Sequence, residues 1–381
     1  MMTGRDFQRT MPGASTHFRQ APSLWSYTHL DAWLLLLLML LCSYGLFVLY
    51  SASGQDMGDV TRQAIRMGAG FFVMIVLAQM RPRMLMTLTP WLYLLGVGLL
   101  VAVMLFGVSA KGAQRWIALP GFRFQPSELM KLVLPMAMAA YLVRDQLPPR
   151  FKHILVSLLI MAVPTALIMK QPDLGTSLLI ACSGVFVLLL SGLYLRYVVS
   201  ALVLIGAALP VLWSFMKGYQ KQRVMTFLNP ESDPLGAGWN IIQSKTAIGS
   251  GGVSGKGWLQ GTQSQLNFLP ESHTDFIIAV IGEELGIYGI GFLILLYLLI
   301  IFRGMLLAMR AQDNFSRLLA GSITLTFFVY VMVNIGMVTG LLPVVGVPLP
   351  MISYGGTSIV TLMAGFGMLM SVAAYSRSPR R

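Results

Sequence analysis

An acidic side chain stands where a long polar segment of the chain turns apolar. Asp275 ends the run Phe268-Leu-Pro-Glu-Ser-His-Thr-Asp275, which also contains Glu271 and His273. A carboxylate at such a boundary can meet both water and a polar substrate, so Asp275 is the candidate general base that takes a proton from an attacking hydroxyl group. The alternative role is an N-cap, because Asp often precedes a helix, and the two roles are compatible.

Basic residues gather in segment 111–131. They are Lys111, Arg115, Arg123 and Lys131. Glu128 lies three residues before Lys131, so these two side chains can pair along one helix face, where Glu128 would orient the ammonium group. Arg115 stands next to Trp116 and suits either an anchor at a membrane interface or a grip on a phosphate group.

Two further segments combine polar side chains with residues that bend the backbone. Lys170-Gln-Pro-Asp-Leu-Gly175 places Asp173 and a lysine in one short connection, which favours a shaped site over a spacer. Segment 341–358 is rich in proline and glycine and contains Ser353. Such residues break helices, and the backbone groups they free must face protein or a wet cavity; a simple packing kink is the alternative.

A glycine-rich stretch lies within the long connection 216–274. It reads Gly249-Ser-Gly-Gly252 and then Gly255-Lys-Gly257. Glycines let backbone amides approach an anion, and Lys256 would add a charge, although the same glycines could simply form turns. An ATP-binding P-loop is excluded, because Ser250 stands at the first required glycine position and Gly257 follows the lysine.

The composition indicates a membrane protein. Of the 381 residues, 56% are hydrophobic and only 11% are charged, which leaves more apolar surface than one soluble core can bury. Apolar runs of about 20 residues recur along the chain and match a hydrocarbon layer of about 30 Å. We expect an all-α polytopic membrane fold with about ten transmembrane helices and a large extracytoplasmic loop between helices 7 and 8. The predicted helices are 31–50, 62–80, 85–108, 128–143, 154–169, 176–191, 194–215, 276–302, 318–341 and 351–375.

The distribution of charge predicts the orientation. With both ends on one side of the membrane, the loops of that side carry 15 of the 27 Lys and Arg residues and few acids, so both termini are expected in the cytoplasm. The opposite side nevertheless holds ten basic residues, which suggests an anionic ligand there; ordinary solvated loop charge is the alternative. Glu283 and Glu284 fall within an apolar run and should face protein, water or a ligand.

The chain divides into one long membrane domain and two tails. Residues 1–30 form a cytoplasmic tail, 31–375 a single transmembrane domain with its large loop at about 216–274, and 376–381 a second cytoplasmic tail. Cys42 and Cys182 lie in apolar runs, so no disulfide framework is expected. We expect no cleavable signal peptide, because the first apolar run follows an Arg-bearing tail and is long enough to span.

In order along the chain, these segments closely resemble the SEDS family (shape, elongation, division and sporulation), membrane peptidoglycan polymerases that include RodA and FtsW. The matching stretches are 111–116, 125–128, 171–176, 229–231, 243–257, 269–286 and 334–358. Gly261-Thr-Gln263 and Thr339-Gly340 resemble the RodA branch more than the FtsW branch. The polar N-terminal tail departs from the shorter start expected of that branch.

The resemblance implies an inverting glycosyltransferase that polymerises lipid II on the outer face of the bacterial cytoplasmic membrane and releases undecaprenyl diphosphate during cell elongation. Asp275 matches the family's essential carboxylate. The diphosphate would be bound by cationic side chains, supported by nearby acids and Ser353. The binding residues are Lys111, Arg115, Arg123, Lys131, Lys256 and His273, and the supporting residues are Glu128, Asp173, Glu271, Glu283 and Ser353.

The resemblance also implies partners and a cofactor. The expected partner is a class B penicillin-binding protein, the transpeptidase half of a two-protein synthase, together with other elongation-machinery proteins. A divalent cation, Mg²⁺ or Mn²⁺, is expected at Asp275 or Glu128, and no nucleotide or nucleic acid. Two alternatives remain: a lipid II flippase, which the broken last helices suggest, and a scaffold that recruits a cell-wall synthase.

Overall fold

The computed structural model describes residues 28–110, 113–119, 122–216, 218–229, 237–266 and 272–377. Thirteen helices lie within these ranges: α1 Ala32–Ala52, α2 Met57–Gln79, α3 Pro82–Phe106, α4 Pro126–Leu142, α5 Phe151–Lys170, α6 Leu174–Leu190, α7 Leu195–Phe215, α8 Gly218–Leu228, α9 Ala237–Gly251, α10 Thr262–Gln265, α11 Ile277–Met309, α12 Asn314–Val338 and α13 Thr357–Arg377. Ten of them correspond to the ten predicted transmembrane helices. The predicted fold class is therefore confirmed.

The connections contain structure that the sequence patterns do not predict. Between α3 and α4 the chain forms a small antiparallel sheet of β1 Val108–Ala110, β2 Ala113–Leu119 and β3 Phe122–Phe124, with β2 in the middle. Between α7 and α11, three of the helices, α8 to α10, occupy much of the large loop. The predicted loop thus exists but is partly helical.

Length and composition decide which helices can cross a membrane. By these two criteria, seven helices of the described chain are long and apolar enough: α1, α2, α3, α5, α11, α12 and α13. Helices α4 and α6 have 17 residues each, which is near the lower limit for spanning a hydrocarbon layer. Aspartates begin several of these helices: the side chains of Asp31, Asp56, Asp173 and Asp313 each accept a hydrogen bond from a first-turn amide, which fixes where the helix starts.

Helix α12 is the centre of the bundle. It contributes buried side chains to both large apolar clusters, one formed with α1, α2, α11 and α13 and the other with α3, α4, α5 and α6. At the periphery, α7 exposes four consecutive apolar side chains, 202–205, at 57–69% of their area. Such a surface is stable only in a solvent as apolar as itself, so it lies against lipid.

Contacts between helix ends define two faces of the bundle. On the terminal face, Asp31 pairs with Arg303, and Gln312 donates to the carbonyl of Ser376. On the opposite face, Ser51 donates to Glu284 and Ser272 donates to the carbonyl of Ala52. We call this second face the Asp275 face. The start of α1 and the end of α13 therefore lie together, away from Asp275.

A break in α11 is matched by the glycine-rich loop beside it. Gly286 adopts φ 63° and ψ −154°, a conformation that essentially only glycine tolerates, and so interrupts the helix. The carbonyls of Glu283 and Glu284 accept from the amides of Lys256 and Gly257, and the amide of Ile287 donates to the carbonyl of Gly252. The loop thus pairs the backbone groups that the break would leave unsatisfied.

We predict that the buried ion pair between Asp31 and Arg303 is a main determinant of stability. Arg303 Nε and Nη2 donate to the two carboxylate oxygens at 3.0 and 2.6 Å, and Asp31 is 3% exposed. Arg303→Gln would leave that carboxylate buried without its counter-charge and should lower the free energy of unfolding by about 3–5 kcal/mol. Thermal unfolding in detergent measures the effect. The control is Arg317→Gln, because the Arg317 guanidinium donates to the neutral side chain of Asn314 at an exposed position. Equal melting of the two variants would contradict the prediction.

Candidate active site

The segment that bears Asp275 is held by hydrogen bonds to its backbone. Asn334 Nδ2, fully buried on α12, donates to the carbonyl of Asp275 at 2.9 Å and to the carbonyl of Val347 at 2.7 Å. Ser353 Oγ donates to the carbonyl of Thr274 at 2.5 Å and accepts from the amide of Leu349. These side chains replace the hydrogen bonds that a continuous helix would make, which fixes the backbone under Asp275.

Asp275 itself is half-buried and lies just before α11. The N-cap position of α11 belongs to Phe276, so the prediction that Asp275 is the cap residue is wrong by one position. A methyl group added at Gly346 would come within 3.5 Å of Asp275 Oδ2, so the carboxylate lies beside the backbone of the segment 345–347. Gly346 has φ 72°, which allows the chain to turn at that point.

Arg115 and Asp173 form a polar cluster near the same segment. Arg115 Nη1 lies 3.7 Å from Asp173 Oδ2, and the guanidinium also donates to the carbonyls of Gln171 and Pro172. The first turn of α6 reaches the segment 345–347, because a Cβ at Gly175 would be 2.8 Å from the carbonyl oxygen of Val345. The structure therefore brings the Asp173 connection and Asp275 to a single piece of chain.

Glu128 and Lys131 pair as their spacing predicts. Lys131 Nζ donates to Glu128 Oε1 at 2.6 Å, and both side chains are at least 90% buried in the bundle. The ammonium group also lies 5.0 Å from the centre of the Tyr330 ring. A cavity of about 30 Å³, large enough for water, is lined by this pair, Thr326 and Tyr330. The pair is thus a charged group held inside the bundle beside a small cavity.

Lys256 and Glu283 join the glycine-rich loop to α11. Lys256 Nζ donates to Glu283 Oε1 at 2.7 Å, and the same carboxylate accepts from Thr262 Oγ1 and from the amides of Gln263 and Ser264. Glu284, 2% exposed, accepts from Ser51 Oγ at 2.6 Å. The expectation that these two acids face protein rather than lipid is confirmed.

Three of the predicted site residues fall wholly or partly beyond what the structure describes. Lys111 and Glu271 lie outside the described residues, and for Arg123 only the backbone, in β3, is described. His273 is described: its ring lies 6.1 Å from that of Tyr354, and its carbonyl accepts from the amide of Tyr354 at 2.9 Å. Within the described ranges, no group of three or more His, Cys, Asp or Glu side chains is arranged to hold a metal.

The structure adds residues that the sequence patterns do not single out. Arg62 and Arg66, on the first turns of α2, contact Tyr354, and Gln63 bonds both the carbonyl of Ser353 and the amide of Gly355. A signal was present in the sequence, because two arginines four residues apart at the start of an apolar helix are costly in a membrane and mark contact with water, protein or a ligand.

Comparison with known proteins identifies the family to which the chain belongs. The family FTSW_RODA_SPOVE, described as "Cell cycle protein", matches residues 31–378. The chain belongs to this family. Relatives include "Peptidoglycan glycosyltransferase MrdB" of Escherichia coli (strain K12), 54% identical over 93% of this chain and 96% of the relative, and "Probable peptidoglycan glycosyltransferase FtsW" of Trichlorobacter lovleyi, 37% identical over 90% and 93%. As an FTSW_RODA_SPOVE protein of this similarity, the chain is a peptidoglycan glycosyltransferase.

Solved structures of this FTSW_RODA_SPOVE family share the fold. One solved structure carries the name "Structural coordination of polymerization and crosslinking by a peptidoglycan synthase complex". A chain in it superposes on this chain with a TM-score of 0.82 at 30% identity, and the match covers 92% of this chain and 99% of that one. Thermus thermophilus RodA gives a TM-score of 0.70 at 27% identity, with 92% and 98% covered. The predicted similarity to RodA is confirmed.

We predict that Asn334 fixes the Asp275 segment. Asn334→Ala would leave the carbonyls of Asp275 and Val347 without their shared donor. The free energy of unfolding should fall by about 1–3 kcal/mol. Glycosyltransferase activity should also fall at temperatures where the variant is still fully folded. Unfolding and polymer synthesis are measured on the same preparation. The control is Thr324→Val, an isosteric change on α12 at a hydroxyl that bonds its own helix; if both variants behave alike, Asn334 has no special role.

Proposed function

We propose that the chain polymerises lipid II with Asp275 as the general base. The 4-hydroxyl oxygen of the acceptor's GlcNAc attacks the anomeric carbon of the donor's MurNAc. The bond from that carbon to the diphosphate breaks, undecaprenyl diphosphate leaves with its electron pair, and the hydroxyl proton passes to the Asp275 carboxylate. The anomeric centre is inverted, as a single displacement requires.

The observation that carries this proposal is the set of hydrogen bonds that fixes the backbone around Asp275. Its carboxylate is half-buried at the Asp275 face, while Asn334, Ser353 and the amide of Tyr354 hold the backbone on which it stands. A general base is effective when it is fixed within reach of the hydroxyl group and still exchanges protons with water. By contrast, Glu283, Glu284 and Glu128 are nearly fully buried, so a substrate hydroxyl group reaches them less easily than it reaches Asp275.

The leaving diphosphate needs neutralising charge more than it needs an acid. We propose that the substrate diphosphates on the Asp275 face receive this charge from Arg115, Arg123, Lys111, Lys131, Lys256 and His273, with Asp173, Glu128, Glu271 and Glu283 orienting them. In the described part of the chain, Arg115 and Lys256 are 30% and 28% exposed, so both combine a fixed partner with access to solvent. Positive charge placed where negative charge develops stabilises the transition state.

A divalent cation fits this chemistry through the substrate. Mg²⁺ bound to phosphates commonly takes only one or two protein carboxylates and keeps several waters. Asp275 could provide such a ligand, whereas the Glu128 carboxylate is bonded to Lys131. When bound, the cation would neutralise the diphosphate, and a chelator should then lower polymer synthesis.

We propose that both chain termini are cytoplasmic and that the Asp275 face is extracytoplasmic. The terminal face carries the larger share of Lys and Arg, in line with the positive-inside tendency. We further propose a membrane complex with a class B penicillin-binding protein during cell elongation. The support is the similar chain described within a peptidoglycan synthase complex of polymerization and crosslinking.

The decisive variant is Asp275→Asn. It keeps the shape and the backbone bonds of the segment but cannot take up the proton, so glycan synthesis from purified lipid II should fall by about 10²-fold or more while the melting temperature stays unchanged. The control is Asp145→Asn, in an exposed loop at the terminal face. Full polymer synthesis by Asp275→Asn would rule out the proposed base.

A lipid II flippase is the second candidate: the broken backbone at 345–355 and in α11 suggests it, but the similarity to named peptidoglycan glycosyltransferases does not favour it. Translocation of labelled lipid II in liposomes by Asp275→Asn, with no polymer formed, would show that transport accompanies or replaces synthesis.

A further inference from the structure

Cationic side chains on the first turns of α2 surround the ring of Tyr354. The guanidinium carbon of Arg66 lies 4.7 Å from the ring centre, and Arg62 Nε donates to the Tyr354 hydroxyl at 3.3 Å. Arg62 also pairs with Asp59 at 2.7 Å. Its charge is therefore balanced, whereas Arg66, which is half-buried, has no ion pair within the described part of the chain.

This cluster is bonded to the segment that bears Asp275. The amide of Tyr354 donates to the carbonyl of His273 at 2.9 Å, and the rings of the two residues meet edge to face at 6.1 Å. Gln63, one residue after Arg62, bonds the carbonyl of Ser353 and the amide of Gly355. Arg66 and His273 are therefore fixed around a single ring, and His273 is two residues from Asp275.

Among the described residues, Arg66 contacts Tyr354 through a cation–π interaction, and no hydrogen bond engages its N–H groups. Stacking engages the face of a guanidinium, while its N–H groups point outward in the plane and match the oxygens of a phosphate. An arginine that only reached for the membrane interface would need no aromatic support. The Tyr354 ring restrains this one, and Asp59 restrains the Arg62 side chain that holds the Tyr354 hydroxyl.

We propose that Arg66 and His273 form a second anion-binding subsite, which takes the diphosphate of one of the two lipid-linked substrates. The inference rests on the proposed polymerisation, because joining two lipid II molecules requires two diphosphates to be held at once despite their repulsion. The Arg115 cluster, at the first turn of α6 beside the segment 345–347, serves the other diphosphate. Tyr354 and Arg62 are positioning residues that orient Arg66.

The test measures binding separately from chemistry. Asp275→Asn protein in phosphatidylcholine nanodiscs is titrated with undecaprenyl diphosphate, undecaprenyl monophosphate and undecaprenol. Adding Arg66→Gln should weaken diphosphate binding by about 10- to 100-fold, the loss expected for a charged hydrogen-bond donor, and leave undecaprenol binding unchanged. The control is Arg83→Gln, an exposed arginine on the first turn of α3. Thermal unfolding checks that each variant is folded.

Four outcomes decide the proposal. Unchanged diphosphate binding in Arg66→Gln, or an equal loss for all three lipids, overturns the subsite. Arg66→Lys should recover part of the affinity, because it restores the charge without the planar fork. Tyr354→Phe should bind better than Tyr354→Leu, since the ring face is kept, and equal binding would refute the positioning role. None of these measurements depends on Asp275 being the base, which polymer synthesis by Asp275→Asn tests alone.

Discussion

Backbone amides and carbonyls must find partners within the protein when hydrocarbon surrounds it, and the Asp275 face is organised around that requirement. Asp275 and the segment 345–355 beside it are non-helical, which leaves their backbone groups without helical partners. Carbonyls of this non-helical backbone accept hydrogen bonds from three side chains: Asn334 donates to Asp275, Ser353 to Thr274, and Gln63 to Ser353. The same bonds that make the irregular backbone tolerable also fix Asp275, so stability and positioning of the reactive group are one property of this site.

The transmembrane helices were accessible to prediction because lipid imposes a length and an apolar composition on each of them. Boundaries were less accessible where a helix begins with polar residues. Helix α2 starts at Met57, five residues before the predicted start, because Asp56 caps a first turn that hydropathy alone assigns to a loop. The short strands β1 to β3 also escape prediction, since three to seven residues carry too little periodicity to be distinguished from a turn.

Contacts within the candidate site also divide into those that the local sequence predicts and those that it does not. The Glu128 and Lys131 pair is predictable, because residues three apart share a helix face. The bond from Asn334 to Asp275 joins residues 59 apart, and the Lys256 to Glu283 pair joins residues 27 apart. Such contacts depend on how helices assemble, which local patterns do not encode. Residue types therefore single out Asp275 as the candidate base, while tertiary structure shows what holds it and adds Arg66.

The break at Gly286 has a mechanical consequence. The loop residues Gly252 to Gly257 are hydrogen-bonded to α11 on both sides of the break: the amides of Lys256 and Gly257 donate before Gly286, and the carbonyl of Gly252 accepts after it. The loop therefore splints the helix, and the first turns of α11 cannot bend at Gly286 unless these bonds break. Asp275, which directly precedes those turns, is held by the splinted helix on one side and by Asn334 of α12 on the other. Rigidity at the carboxylate is thus shared between α12 and a loop that lies about 20 residues earlier in the chain.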